Sequence, residues 1–132
     1  MRAADEAHGY RFMIATLPGT GLPYIEPLEM WRALLADLGR KTPAAVIAAR
    51  FHSGFAQAIA EMVVTLAADG APRFDTVALS GGCFQNKVLF EEVARRLRDA
   101  GFTVLTHALV PPNDGGLALG QAAVAAAQLL AG

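Results

Sequence analysis

Residues 77–86, with the sequence VALSGGCFQN, decide the fold, because an apolar run stops there at a glycine pair and a helical pattern follows. A second glycine pair ends the stretch PPNDGG at residues 111–116. A strand that turns into a helix presents backbone N–H groups at the positive end of the helix dipole, and glycine lets that backbone approach a ligand closely. We therefore expect the two turns to form a site for a phosphate-bearing ligand.

The second half of the chain is predicted to alternate strand and helix. Short strands are expected at Asp75–Leu79 and Phe102–Thr106, and a glycine turn and a helix follow each of them. A connection that contains a whole helix makes consecutive strands parallel and gives a right-handed crossover. Since ligands in open α/β sheets bind at the carboxyl ends of the strands, we expect both turns side by side at that edge.

The first half is predicted to hold a hairpin and two helices. Apolar runs at 10–16 and 22–25 flank a proline- and glycine-containing turn, which indicates two paired strands. A helix is expected over 27–39, and a long one over 42–69 with Thr42 as its N-cap.

Apolar residues recur at helical spacing in both of these helices. In the first helix the stripe that includes Trp31 and Leu35 is expected in the core, and the interpretation as a cofactor-binding motif is rejected. The stripe predicted for the second helix consists of Ile47, Phe51, Phe55, Ile59, Met62 and Leu66.

Composition excludes several classes of function. The 132 residues suffice for one domain, and 54% of them are hydrophobic while only 17% are charged. The net charge of −1 gives no basic field for nucleic acid. No apolar run reaches the roughly 18 residues of a membrane span, and the first ten residues do not read as a signal peptide. A single cysteine excludes an intrachain disulfide and fits a reducing compartment.

The chemistry of the turns leaves alternatives open. The backbone N–H groups of Gly81, Gly82 and Cys83 are expected to face phosphate oxygens. Asn86 is either an amide that contacts a ribose or base, or the N-cap of the next helix. Asp114 is the best metal or catalytic candidate, and because it is predicted at a helix start it is also expected to be an N-cap; the two roles are compatible, since one carboxylate oxygen can cap while the other faces the cleft.

The cysteine and the histidines carry weaker signals. No histidine is placed beside Cys83 by the sequence, so a catalytic thiol is the less favoured interpretation. The three histidines, His8, His52 and His107, have no metal-ligand spacing. His52 is expected at the edge of the apolar stripe, as a packed or boundary residue.

Four stretches closely resemble the C-terminal end of the HypF carbamoyltransferases, which mature nickel–iron hydrogenases. They are AARFH at 48–52, ALSGGCFQN at 78–86, LTH at 105–107 and VPPNDGGLALGQ at 110–121. The resemblance runs from about Tyr10 to the end of the chain. It implies that residues 1–132 are one α/β unit, the C-terminal lobe of the sugar-kinase/actin/heat-shock-chaperone (ribonuclease H-like, ASKHA) fold.

The resemblance also implies an activity for a larger, modular protein. In this family an acylphosphatase-like domain, a zinc-finger segment and a YrdC-like domain precede the last domain. The YrdC-like domain makes carbamoyl-adenylate from carbamoyl phosphate and ATP. The last domain transfers the carbamoyl group to the C-terminal cysteine of the partner HypE, which dehydrates it to a thiocyanate. A cytoplasmic protein with no nucleic-acid or membrane partner is implied.

The resemblance assigns roles to particular residues. Asp114 matches a metal ligand for zinc or iron, and Mg²⁺ is implied with the nucleotide. Two further ligands, histidines at H-x-x-x-H spacing, are absent here, so the metal site is expected to be incomplete and the chain inactive by itself, as a fragment of a longer domain. The residues that match nucleotide-binding positions are Ser80, Gly81, Gly82, Asn86, Gly115 and Gly116.

Two alternatives to this function remain at the level of sequence. One is a lobe of the similar TsaD family, which transfers threonylcarbamoyl to tRNA, and the other is an interaction module without chemistry. The apolar composition and the missing opposing lobe also predict a homodimer or higher oligomer through the exposed face of the lobe.

Overall fold

The computed structural model describes residues 8–69 and 73–131. Short 3₁₀ turns at Gly82–Gln85 and Asp114–Gly116 connect its main elements. Among these residues, no helix combines the length and the hydrophobicity that crossing a membrane requires. The main elements are, in chain order, β1 (Met13–Thr16), β2 (Pro23–Glu26), α1 (Leu28–Gly39), α2 (Ala44–Asp69), β3 (Thr76–Ala78), α3 (Lys87–Asp99), β4 (Thr103–Leu105) and α4 (Leu117–Ala131).

The strands form two small sheets, as the sequence predicts. β1 and β2 pair antiparallel, with Ile14 opposite Ile25. β3 and β4 pair parallel, with Val77 opposite Val104. The predicted hairpin and the predicted parallel pair are both confirmed, although β1, β3 and β4 are shorter than their apolar runs and β2 begins one residue later than its run.

The core lies between α2 and α3, against the parallel strands. In α2 the buried side chains are the small ones, whereas most of the predicted stripe is half-buried and Leu66 is 42% exposed. The reason is that α2 contacts the hairpin as well as α3 and so buries more than one face. The buried core cluster consists of Ala56, Ala60, Leu79, Leu89, Val93, Ala94 and Leu97.

Two glycines allow the chain before β1 to cross α2 in direct backbone contact. The Tyr10 N–H donates to the Arg50 carbonyl at 3.0 Å, one turn before Gly54. A Cβ placed on Gly54 would overlap the Tyr10 backbone, and a Cβ on Gly9 would overlap the backbone of Gly54. Glycine is therefore required at this crossing for space.

The apolar stripe predicted in the core on α1 is instead exposed, so that prediction is wrong. Trp31 is 51% exposed and Leu35 is 61% exposed, whereas α1 buries the face that carries Met30 and Asp37. A buried carboxylate needs hydrogen-bond donors, and this is the face of α1 on which Asp37 meets Tyr10 and Arg50.

Asp37 accepts hydrogen bonds on both of its carboxylate oxygens. Oδ2 accepts from the Tyr10 hydroxyl and from Arg50 Nη1, both at 2.7 Å, and Oδ1 accepts from Arg40 Nη2 at 2.9 Å. The hydrogen bond from Tyr10 is the largest cause that lowers the pKa of Asp37 to about 2, outweighing burial, which raises it. Thr42, predicted as the N-cap of α2, donates to Asp37 instead, at 3.5 Å.

Acid is expected to remove the stability that Asp37 contributes between about pH 4 and pH 2. The carboxylate takes up a proton near pH 3.8 when unfolded but only near pH 2 when folded, so its contribution is complete above the first value and is lost as pH falls through the second. Asp37→Asn should lack this pH-dependent part and unfold more easily at pH 7 by about 3 kcal/mol, because the donors Tyr10 and Arg50 then face a neutral amide in place of the buried carboxylate.

Urea unfolding at pH 7, 4 and 2 measures both effects. Asp75→Asn is the matched control, since Asp75 is exposed and, among the described residues, its side chain accepts from the neighbouring Thr76 hydroxyl alone. An Asp37→Asn protein that loses as much stability as the wild type between pH 4 and pH 2 would contradict the prediction.

Candidate functional site: a cleft between two glycine turns

The two glycine turns meet through a backbone hydrogen bond. The Gly81 N–H donates to the Pro112 carbonyl at 2.6 Å, and the Leu79 N–H donates to the Leu105 carbonyl at 3.0 Å just beyond the paired strands. The prediction that both turns lie side by side at the carboxyl ends of the parallel strands is therefore confirmed.

A cavity of about 440 Å³ opens between the turns and the first half of α4. Of the residues predicted to bind a nucleotide, Asn86 and Gly115 are not part of its lining. No lysine or arginine is among the described residues that line it, so a phosphate placed beside the Asp114 carboxylate would need a cation between them. The lining includes Ser80, Gly81, Gly82, His107, Asp114 and Gly116.

The first turn leaves two backbone donors for a ligand. Gly81 has a φ of 103°, a conformation that glycine adopts without strain, and its N–H is taken by Pro112. Among the described residues, the N–H groups of Gly82 and Cys83 have no acceptor. Two of the three N–H groups expected from the sequence are thus available, and the Gly81 group is not.

The second turn is capped by Asn113 and not by Asp114. The Asn113 Oδ1 accepts from the Gly115 N–H at 2.9 Å, and the Asn113 carbonyl accepts from the Gly116 N–H at 3.0 Å. The N-cap interpretation of Asp114 is therefore wrong, because the preceding residue already supplies the cap. Asp114 has no hydrogen-bond or ion-pair partner among the described residues, so its carboxylate is free to act in the cleft.

His107 lies in the cleft, although no pattern in the sequence predicts a role for it. Its Nε2 is 2.9 Å from the Ser80 Oγ. The strand register could have revealed this pair. Ala78 lies opposite Leu105, and Ser80 and His107 come two residues after them, on the same face of the sheet.

Asn86 caps α3 and also contacts α2. Its Oδ1 accepts from the Leu89 N–H at 3.2 Å, and its Nδ2 is 2.8 Å from the Nε2 of His52. The N-cap interpretation is confirmed, and the half-buried position of His52 agrees with the predicted boundary residue. Cys83 is exposed and free, and within the described ranges no side chain hydrogen-bonds it.

The described residues do not form a complete metal site. No group of three or more His, Cys, Asp or Glu side chains comes together within residues 8–69 and 73–131. A tightly held transition metal needs about three or four protein ligands. Asp114 can supply one of them, and the others would have to come from outside the described residues.

Comparison with known proteins gives consistent matches. A family profile described as "Carbamoyltransferase, Kae1-like Domain, second subdomain" matches residues 1–121. The chain is 46% identical over 93 residues to carbamoyltransferase HypF2 of Cupriavidus necator, and 47% identical over 83 residues to carbamoyltransferase HypF of Rhodobacter capsulatus. These matches cover 70% and 63% of this chain but only 11% of each relative.

Solved structures agree with the sequence matches. A crystal structure of full-length HypF in the phosphate- and nucleotide-bound form superposes with a TM-score of 0.80 at 29% identity, over 89% of this chain and 15% of that one. HypF of T. kodakarensis superposes with a TM-score of 0.66 at 25% identity, over 93% of this chain and 16% of that one. The expected fold class, the C-terminal lobe of the ASKHA fold, is confirmed.

Proposed function

The chain belongs to the HypF carbamoyltransferase family, and we propose that it is the C-terminal lobe of an enzyme that transfers a carbamoyl group from carbamoyl-adenylate to the C-terminal cysteine of HypE. The product would supply the cyanide ligands of a nickel–iron hydrogenase. A YrdC-like domain elsewhere in the same protein would make the adenylate. This lobe would contribute one wall of the transfer site and would be inactive by itself.

The observation that carries the proposal is the hydrogen bond between Gly81 and Pro112. Because of this bond, the Asp114 carboxylate and the Ser80 hydroxyl line the same cavity. They lie next to the turn whose Gly82 and Cys83 N–H groups have no hydrogen-bond acceptor among the described residues. Backbone N–H groups at the start of a helical turn suit the phosphoryl oxygens of an acyl adenylate. Asp114 would hold a cation beside them, either the Mg²⁺ of the nucleotide or a zinc or iron ion completed by ligands from the rest of the domain.

The test uses the full-length protein with ATP, carbamoyl phosphate and purified HypE. We expect mass spectrometry to find a carbamoyl group on the C-terminal cysteine of HypE, and none when ATP is left out or when that cysteine is replaced by serine. Threonylcarbamoyl transfer to a tRNA adenosine, with no modification of HypE, would favour the TsaD-like alternative instead.

Two apolar faces of the lobe are exposed, and we propose that other HypF domains cover them in the whole protein. α4 has no buried residue, and on α1 the exposed side chains are large. Monomeric soluble proteins rarely expose contiguous apolar patches beyond a few hundred Å². The large exposed apolar side chains of the two helices are Leu28, Trp31, Leu35, Leu38, Leu117, Leu119, Val124, Leu129 and Leu130.

The 132-residue chain by itself is expected to self-associate through these faces, burying on the order of 1,000 Å² or more. Light scattering at micromolar concentration measures the oligomeric state. Leu129→Glu together with Leu130→Glu should shift the chain toward monomer, because two charges then lie on the end of α4. Leu109→Glu, at a loop residue that is 97% exposed, is the control and should change nothing. A wild-type chain that stays monomeric would contradict the expectation.

A further inference from the structure

His52 joins α2 to the start of α3 through hydrogen bonds on both of its ring nitrogens. Its Nδ1 is 2.8 Å from the Ala48 carbonyl oxygen, and its Nε2 is 2.8 Å from the Nδ2 of Asn86. The Oδ1 of Asn86 in turn accepts from the Leu89 N–H at 3.2 Å. The chain of contacts therefore runs from the backbone of α3 to the backbone of α2.

The backbone groups at the two ends of this series of contacts, the Ala48 carbonyl and the Leu89 N–H, fix the direction of each hydrogen bond in it. The Leu89 N–H can only donate, so the atom of Asn86 that faces it must be the oxygen. The amide nitrogen of Asn86 then donates to Nε2, and the Ala48 carbonyl, which can only accept, requires the proton on Nδ1. His52 is thus the neutral Nδ1–H tautomer.

The consequence for Asn86 is a single orientation of its amide group. A rotation of the amide by 180° would place its oxygen against the lone pair of His52 Nε2 and its nitrogen against the Leu89 N–H, and both contacts would be repulsive. The remaining N–H and the remaining oxygen lone pair of Asn86 consequently point in fixed directions. Without His52, only the N-cap contact would hold the amide.

We propose that His52 is a positioning residue that fixes the Asn86 amide for contact with a nucleotide. The inference rests on the proposed function, because the role of Asn86 toward the nucleotide comes from the family resemblance. Asn86 directly follows the first turn and lies outside the lining of the cleft, so the contact would be with a part of the nucleotide that extends beyond the cleft. His52 itself acts only through Asn86, and its ring is further held by the edge-on contact with Phe51, at 5.9 Å between centroids.

Three substitutions of His52 separate this role from simple packing. Glutamine places an acceptor near the position of Nε2, so His52→Gln should keep ATP affinity within about 2-fold of the wild type. Asparagine reaches only the position of Nδ1, so His52→Asn, like His52→Leu, should weaken ATP binding about 3- to 10-fold, as expected for one lost hydrogen bond. Adding His52→Leu to Asn86→Ala should weaken binding no further than Asn86→Ala does.

Calorimetric titration of the full-length protein with ATP measures these affinities, and the data are fitted with two classes of site because the YrdC-like domain also binds ATP; the site that Asn86→Ala weakens is the one assigned to this lobe. The tautomer is read independently from the ¹⁵N chemical shifts of the His52 ring, where we expect a protonated Nδ1 and an unprotonated Nε2. A protonated Nε2 would overturn the inference, and so would a His52→Gln protein as weak as His52→Leu.

Failure of this inference is distinguishable from failure of the proposed function. If the site that depends on Asn86 binds ATP equally well in the wild type and in His52→Leu, the positioning role alone is overturned. If the wild-type protein shows no ATP site that Asn86→Ala weakens, both are overturned.

Discussion

Replacing Asp114 by alanine in the full-length enzyme is expected to abolish carbamoyl transfer to HypE while leaving adenylate formation in the YrdC-like domain intact. Within the described residues, Asp114 supplies the sole carboxylate in the lining of the cleft, and no lysine or arginine lines the cleft that could neutralise a phosphate in place of a bound cation. Removing it takes away the group that can hold a cation beside the phosphate, and we expect a loss on the order of 100-fold or more.

Two companion variants make this expectation specific. Asp114→Asn keeps the shape of the side chain but not its charge, and it should be as inactive as Asp114→Ala. Asp99→Ala removes an exposed carboxylate that pairs with Arg95 on α3, away from the cleft, and it should retain full activity. Separate assays of ATP-dependent adenylate formation and of HypE modification give the two rates. Loss of both activities in Asp114→Ala would refute the division of labour between the domains.

Gly54→Ala is expected to destabilise the fold by about 3 kcal/mol or more, because the added methyl group has no room. The atoms that it would meet belong to the backbone of Tyr10, which cannot rotate away as a flexible side chain can. Separating the two segments would also stretch the hydrogen bond from the Tyr10 N–H to Arg50 and pull the Tyr10 hydroxyl away from Asp37.

The matched control is Gly120→Ala, which is also a glycine-to-alanine change inside a helix. A Cβ at Gly120 would meet nothing within 4 Å, so the better helix propensity of alanine should leave the stability unchanged or raise it by up to about 1 kcal/mol. Urea denaturation of the two variants gives the difference. Equal stabilities for Gly54→Ala and Gly120→Ala would show that the crossing does not require glycine.

Local signals were enough to predict the parallel strands and the meeting of the two turns. A right-handed crossover is specified by the apolar run before Gly81, the helix that follows it and the next short apolar run. Such a crossover leaves little freedom in where the second turn lies. The helix that starts after Asn86 was also recognisable, since an asparagine before a periodic segment is a common N-cap.

The buried network around Asp37 could not be predicted in this way. Its partners Tyr10 and Arg50 lie 27 and 13 residues away in sequence, so no periodicity connects them to α1. The face of α1 that carries the buried Asp37 packs against its donors, and Trp31, on the face with the larger apolar residues, is exposed. The contact between His52 and Asn86 could not be predicted for the same reason, because the two residues lie 34 positions apart in sequence.

The position of α4 links ligand binding to local unfolding. The helix forms one wall of the cleft through Leu117, Gly120, Gln121 and Val124, yet none of its residues is buried. Its amide hydrogens should therefore exchange with solvent through openings that cost far less than global unfolding of the α2–α3 core. A ligand that bridges Asp114 and the first turn needs α4 folded in place, so part of its binding free energy would go into suppressing these local openings. Slower amide exchange in α4 would therefore report occupancy of the cleft.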